Sequence, residues 1–297
     1  MQMSDMVLQG KDSWLFLKND SNNVIQQISG NYNLSDDFFY RWKNILTLRK
    51  AYFDARNIKY HYLCIPNKEC VKKDFLPDDI LVSNNRPFLL LENTFNSVLG
   101  NQWSYPLQEL ASGAYHSFPK GDTHWNQYGA YISYKKMMTT MDVSHTINDD
   151  NIEFLTTQRV GDLVSKLESG AKEEFMICKF NVPSSIEIEY DNGVSNTGRL
   201  IIINNPLALN NATLVFFRDS FGSALIHFLA RTFSRVIAVW QPNIDWGILE
   251  KETPQYVISQ QVERFTISPP DDISGKTNNM IAKSKNINTH VYYNGIF

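Results

Sequence analysis

Between Ser35 and about Asn57 the apolar residues Phe38, Phe39, Trp42, Ile45, Leu46, Leu48, Tyr52 and Phe53 return every three or four positions. That rhythm predicts an amphipathic helix, with Ser35 placed to cap its start. Gln9–Leu17 reads as a turn feeding a short strand, and Lys59–Ile65 as a β-rich run that stops at Pro66-Asn67-Lys68. A loop to Leu76-Pro77 and a second helix over Pro87–Val98 follow. Gly113–Phe118 reads as a short extended piece, and Asn126–Met141 has helical period and composition. Thr213–Phe217 has the continuous apolar pattern of a buried strand, and Ala224–Ala230 that of a helix. Strands and helices in alternation predict a layered α/β domain with a largely parallel sheet.

From about Thr146 to Asn211 the texture changes. A short helix around Leu163–Leu167 precedes Glu187–Tyr190, the turn signal Asp191-Asn192-Gly193, and the strand-like Arg199–Ile203. The expectation is one domain over residues 1–297 with a hairpin-bearing insertion at about 146–211. No internal repeat or low-complexity tract is visible, and Ser274–Asn288 reads as loop.

Composition narrows the class. Apolar residues make up 43% of the 297 and aromatics 13%, so the chain can bury a substantial core. Twenty-eight basic against thirty-one acidic side chains leave −3, and no dense Lys/Arg run is present, which argues against nucleic acid as a partner. The longest apolar runs are strand-sized, so no membrane span is expected. The start, Met1-Gln2-Met3-Ser4-Asp5-Met6, lacks the basic-then-apolar pattern of a secretory signal. A cytoplasmic location follows if Met1 is the native start; the alternative is periplasmic, with a signal or anchor removed. Cys64, Cys70 and Cys178 fit no metal-ligand spacing and read as reduced, mostly buried thiols, a Cys64–Cys70 disulfide being the weaker alternative.

The chemistry concentrates in two blocks. The run Thr213–Phe217 leads directly into Arg218-Asp219-Ser220-Phe221-Gly222-Ser223, so Ser220 sits at a strand-to-helix turn. Such a turn exposes a hydroxyl beside the free amides of the following helix, which suits a nucleophile and an oxyanion. The other block, Lys120–Tyr131, offers Asp122 and His124 two residues apart, able to supply an orienting carboxylate and a base. Taken singly, Asp122 and Ser220 also fit helix capping. Asp219 is a rival carboxylate, but as the immediate neighbour of Ser220 it is expected to brace the turn. Trp125, Tyr128, Asn67, Lys68 and Arg218 are the candidates for substrate binding. Tyr128, Tyr131 and Tyr134 fall on one side of the helix, where packing is the first explanation and a sugar-stacking platform the second. His61, His116, His145, His227 and His290 read as structural. No metal site is expected, since His-x-His, paired cysteines and calcium-loop carboxylates are all missing.

Asp122-Thr123-His124-Trp125 with Asn126-x-x-Gly129-Ala130, followed about ninety residues later by Arg218-Asp219-Ser220-Phe221, resembles the AlgJ/AlgX-type SGNH-hydrolase-like family of alginate and related polysaccharide O-acetyltransferases. Gly10–Leu17, Ile65–Lys68 with Leu76-Pro77, Gly161-Asp162-Leu163 and Pro254–Arg264 agree with it. One departure is Arg218, where the common SGNH block has glycine before Asp-Ser. The resemblance implies a three-layer flavodoxin-like domain carrying a Ser-His-Asp triad, with Asp and His ahead of Ser in the chain. Ser220 is then the nucleophile, His124 the base and subsequently the acid, and Asp122 the orienting group. The implied activity is O-acetylation of a surface polysaccharide or its precursor through an acyl-serine. A carbohydrate esterase or deacetylase with the same triad and a noncatalytic polysaccharide-binding scaffold are the alternatives. No cofactor is expected to be bound; an acetyl donor, acetyl-CoA or an acyl-carrier partner, is required. A polysaccharide or oligosaccharide acceptor and other polysaccharide-biosynthesis proteins are the expected partners.

Overall fold

A computed structural model of the protein describes residues 5–145, 147–167 and 169–285. Its strands are β1 (Val7–Gln9), β2 (Leu15–Leu17), β3 (Lys59–Ile65), β4 (Trp103–Ser104), β5 (Ile152–Arg159) and β6 (Glu173–Phe180). They continue with β7 (Glu187–Asp191), β8 (Leu200–Asn204), β9 (Asn210–Arg218), β10 (Phe233–Trp240) and β11 (Tyr256–Val262). A seven-stranded sheet runs β4-β3-β11-β9-β10-β8-β7. The pairs from β4 to β10 are parallel, as in Ile258 opposite Phe216, while β8 and β7 join antiparallel.

Alternation along the central strands builds two cores. Leu214 and Phe216 face one hydrophobic cluster, with Leu63, Ile65, Val236 and Ile258, against the helices Gln127–Thr140 and Gly222–Thr232. Val215 and Phe217 face the other, with Tyr62, Cys64, Ile237 and Val257, against the helices Phe38–Asp54 and Pro87–Leu99. A sheet buried on both faces reads as continuous apolar runs. The result is the expected three-layer α/β architecture.

Several elements differ from the sequence reading. The first long helix starts at Phe38, not Ser35; Ser35 Oγ donates to Asp37 Oδ1 at 2.7 Å and caps no amide. Its buried stripe is Phe38, Trp42, Leu46, Arg49 and Phe53, while Phe39 and Leu48 are exposed. The stretch read as an insertion divides in two. β5 and β6 pair as a separate hairpin, whereas β7 and β8 extend the main sheet beyond β10. Gly113–Phe118 forms no strand, and within Ser274–Asn288 a helix occupies Asn278–Ser284, with 286–288 outside the described residues. Cys64, Cys70 and Cys178 are free thiols, so the disulfide alternative is set aside. Among the described residues no helix is long and apolar enough to cross a membrane.

One ion pair ties the chain's late segment into the core. Arg49 reaches Asp272 through Nε at 2.7 Å and Nη2 at 2.9 Å, and both side chains are fully buried. Tyr60, Ser259 and the Pro242 carbonyl take the remaining guanidinium donors, and Asp272 also accepts from the Ile244 amide. Removing one partner of such a pair leaves the other charge buried and unmatched. Asp272→Ala is expected to lower unfolding stability by about 3–5 kcal/mol, read from urea titrations. A loss under about 1 kcal/mol would show that the pair does not hold this segment.

Candidate active site

Ser220 lies two residues past the carboxyl end of β9, where ligands gather in open α/β sheets. Asp219 fixes the turn. Its Oδ1 accepts from the Phe221 amide at 2.9 Å and Gln260 Nε2 at 2.8 Å, and its Oδ2 accepts from the Val262 amide at 2.6 Å. The turn after β9 is thereby clamped to the end of β11. Burial pushes the Asp219 carboxyl up, opposed by these same hydrogen bonds. The neighbour of the serine therefore braces the turn, and the backbone N–H of Ser220 has no acceptor among the described residues.

Asp122 and His124 reach Ser220 from the loop before the helix Gln127–Thr140. His124 Nε2 lies 2.9 Å from Ser220 Oγ, and Nδ1 lies 3.0 Å from Asp122 Oδ1. Asp122 Oδ1 also accepts the His124 amide at 2.7 Å, and Oδ2 accepts the Asp162 amide at 3.0 Å. Burial would raise the Asp122 carboxyl, but the hydrogen bonds and charge of His124 hold it below the usual carboxylate value. An ionised carboxylate only accepts, so the imidazole proton belongs on Nδ1 and the Nε2 lone pair faces the hydroxyl. The capping alternatives fail on placement. Asn126 performs the cap, its Oδ1 accepting from the Gly129 amide, and the Ser220 side chain caps no amide of the helix after it.

The loop 120–124 is held from behind. Lys68 Nζ donates to the carbonyls of Lys120 at 2.7 Å and Asp122 at 2.9 Å, with the Trp14 ring 5.2 Å away. Asp162, to which sequence reasoning gave no role, accepts the Thr123 amide at 2.7 Å and lies 3.6 Å from His124 Nδ1. Its segment fits because Gly121 and Gly161 are bare. A Cβ on Gly161 would sit 2.2 Å from the Gly121 carbonyl oxygen, and one on Gly121 would sit 2.3 Å from Val164 Cγ2. The quoted segment Gly161-Asp162-Leu163 was the available signal.

The other candidates separate. Trp125 lines a cavity of about 290 Å³ with His124 and Ser220, and its Nε1 donates to the Phe221 carbonyl at 3.0 Å. Arg218 lines a different cavity of about 370 Å³, which also includes Ser220. Tyr128 lines neither; it is buried edge-on against Tyr115 and Phe154, so packing replaces the binding expectation. Asn67 is fully buried, its Oδ1 accepting from the Arg264 amide, and Lys68 is engaged on backbone carbonyls. Neither can meet a substrate as placed. Tyr131 and Tyr134 hydrogen-bond Asp149 and Thr232 within the packing of the same helix. His61 bonds Ser104, His145 the Val143 carbonyl, and His116 packs on Trp14. His227 lines the His124 cavity, and His290 lies outside the described residues. The ligating atoms of Asp122, His124 and Asp162 come within 4.8 Å of one another. Their oxygens already accept from amides and from the Thr123 hydroxyl, which suits a braced imidazole better than a cation.

Lys68 supplies a pH test. Burial lowers its ammonium from 10.5 to about 8. Between those values the unfolded chain binds the extra proton, so stability rises with pH across the window. Against Lys68→Met, the wild type should gain on the order of 3 kcal/mol of relative stability between pH 8 and 10.5, measured by urea midpoints. A constant difference over that range would show an ordinary lysine.

Residues 7–175 match the family described as "SGNH hydrolase-like domain, acetyltransferase AlgX". No curated protein matches the chain. Among solved structures, Bacillus cereus PatB1 is similar with a TM-score of 0.66 at 15% identity, over 92% of this chain and 100% of that one. The O-acetyltransferase domain of Pseudomonas putida AlgJ gives 0.55 at 13% identity, over 94% and 99%. Pseudomonas aeruginosa AlgX gives 0.52 at 14%, over 86% and 61%. These likenesses extend the shared fold across the strand and turn that carry Ser220, beyond the matched segment that carries Asp122 and His124. On the family match, which spans more than half its length, the chain belongs to the AlgX acetyltransferase family of SGNH hydrolase-like domains.

Proposed function

We propose that the protein is an O-acetyltransferase acting on hydroxyls of a surface polysaccharide or its precursor, through an acyl-Ser220 intermediate. The observation that carries this reading is the unbroken chain from Asp122 through His124 to Ser220, with links of 3.0 and 2.9 Å. Family membership supports the reaction class.

In the first half-reaction His124 Nε2 takes the Ser220 proton as Oγ attacks the donor carbonyl. Collapse of the tetrahedral species expels the leaving group, which receives that proton. An acceptor hydroxyl then enters, loses its proton to His124, and attacks the acyl-serine. The Ser220 amide, without an acceptor among the described residues, is the first candidate donor to the oxyanion. Asp122 stabilises the imidazolium, helped by the Asp162 carboxylate 3.6 Å from Nδ1, and Lys68 acts by holding the loop. The donor is acetyl-CoA or an acyl-carrier partner, the first fitting a cytoplasmic setting and the second a periplasmic one.

Water in the acceptor's place would make the same triad an esterase. Incubation with an activated acetyl ester, with and without oligosaccharides, separates the two by whether acetyl appears on sugar. Intact-mass analysis should show a single acetyl on Ser220, and Ser220→Ala should lose about three orders of magnitude of turnover. Full activity in that variant would end the nucleophile role of Ser220, and a wild type that never acylates would leave a noncatalytic scaffold.

A further inference from the structure

Ser220 is the one residue shared by the two cavities, the first lined by His124 and the second by Arg218. Proton transfer assigns them. The leaving group and the acceptor both exchange a proton with His124 Nε2, so both must occupy the cavity that His124 lines. The acyl chain, bonded to Ser220 throughout, has the second cavity left to it. At about 370 Å³ that space is many times what the methyl of an acetyl group fills.

Its chemistry also offers more than a methyl needs. Arg218 is 2% exposed and makes no ion pair among the described residues. Nη1 donates to the Asp219 carbonyl and Ser223 Oγ, each at 3.0 Å, while Nε has no partner. The guanidinium stacks over Trp240, 4.4 Å from the ring centre. Its stem is fixed by Gly222, where a Cβ would come within 2.6 Å of Arg218 Cβ. Burial lowers this group to about 10, which still leaves it charged at neutral pH. The carboxylates of Asp219 and Asp191 act on it only from beyond ion-pair distance, and a ligand carboxylate is the planar partner that a guanidinium fits best.

We propose that, besides acetyl, Ser220 accepts short acyl groups ending in a carboxylate, of the succinyl kind, with that carboxylate paired to Arg218 in the second cavity. This rests on Ser220 being the acylated nucleophile. The Ser220 Oγ–acyl bond forms as the donor ester bond breaks, the serine proton passing through His124 to the leaving alcohol. Water or a sugar hydroxyl then takes the acyl group, its proton returning through His124 to Ser220. No redox partner is needed.

The test compares 4-nitrophenyl hemisuccinate with its neutral isostere, 4-nitrophenyl levulinate, and with the acetate. The Ser220→Ala rate is subtracted, since it contains the hemisuccinate's own cyclisation. Wild type should favour hemisuccinate over levulinate in kcat/KM by about tenfold or more, and added salt should erode that ratio. Arg218→Met should invert the preference, and Arg218→Lys should retain part of it. A wild type that treats the two esters alike or prefers levulinate overturns the proposal, and this holds even if the variants fail to fold. Equal losses on both esters in Arg218→Met would make the arginine a brace of the turn, which also overturns it. Acetate turnover that depends on Ser220 while hemisuccinate is refused sinks this inference alone; no Ser220-dependent turnover of any ester sinks the acyl-serine reading with it.

Discussion

The ammonium of Lys68 is the point on which the site's geometry hangs. It lies out of water behind the loop, and it bridges the carbonyls of Lys120 and Asp122 rather than meeting a carboxylate. A loop would ordinarily turn its carbonyls to solvent. Here two of them point inward because a cation awaits them, and the side chains of Asp122 and His124 are directed the other way. The Leu15 amide binds the same Lys120 carbonyl at 2.9 Å, and Trp14 packs beside the ammonium. Segments distant in sequence, near residues 14, 68 and 122, thus form one support.

Two clamps then set the distance between the halves. On one side, Asp162 and the bare Gly121–Gly161 contact hold residues 121–124. On the other, Asp219 ties the Ser220 turn to the end of β11 through Gln260 and Val262. The parallel register of β9 and β11 keeps those strand ends level, so a hydroxyl and an imidazole ninety-six positions apart meet at 2.9 Å. Groups that must align to within a fraction of an ångström are held by neighbours that do no chemistry themselves.

Periodicity revealed two central strands, Lys59–Ile65 and Thr213–Phe217, and the long helices, because burial on both faces leaves a continuous apolar signature, but it did not mark the neighbouring strands β10 and β11. It failed where residues serve a partner rather than a period. Arg49 sits inside the buried stripe of its helix because Asp272 waits far along the chain, and no local window contains both. The β5–β6 hairpin was missed since its faces are half exposed and lack a strict alternation. The Asp122, His124 and Ser220 set was legible as residue types at two turns. Lys68 stood out only as a substrate-binding candidate and Asp162 only within Gly161-Asp162-Leu163, because their work is on backbone groups that carry no sequence signature. Tyr128 misled for the opposite reason, as an aromatic at a helix entrance can pack inward or face a ligand at the same spacing.

Arg218 shows how a departure from a pattern can be read physically. A glycine before Asp-Ser would leave the end of β9 bare, whereas arginine fills that position with a charge that needs company. The turn accommodates it by leaving Gly222 without a side chain, by offering the Asp219 carbonyl and the Ser223 hydroxyl, and by presenting the face of Trp240. None of these contacts is with a carboxylate oxygen, the Asp219 carboxylate being taken up by Phe221, Gln260 and Val262. Structural arginines elsewhere in the same molecule are treated differently: Arg49 has Asp272, and Arg86 has Glu263 at 2.7 Å. Arg264 is buried against the rings of Phe221 and Phe265 with no ion pair among the described residues, so what sets Arg218 apart is the open cavity it lines beside Ser220.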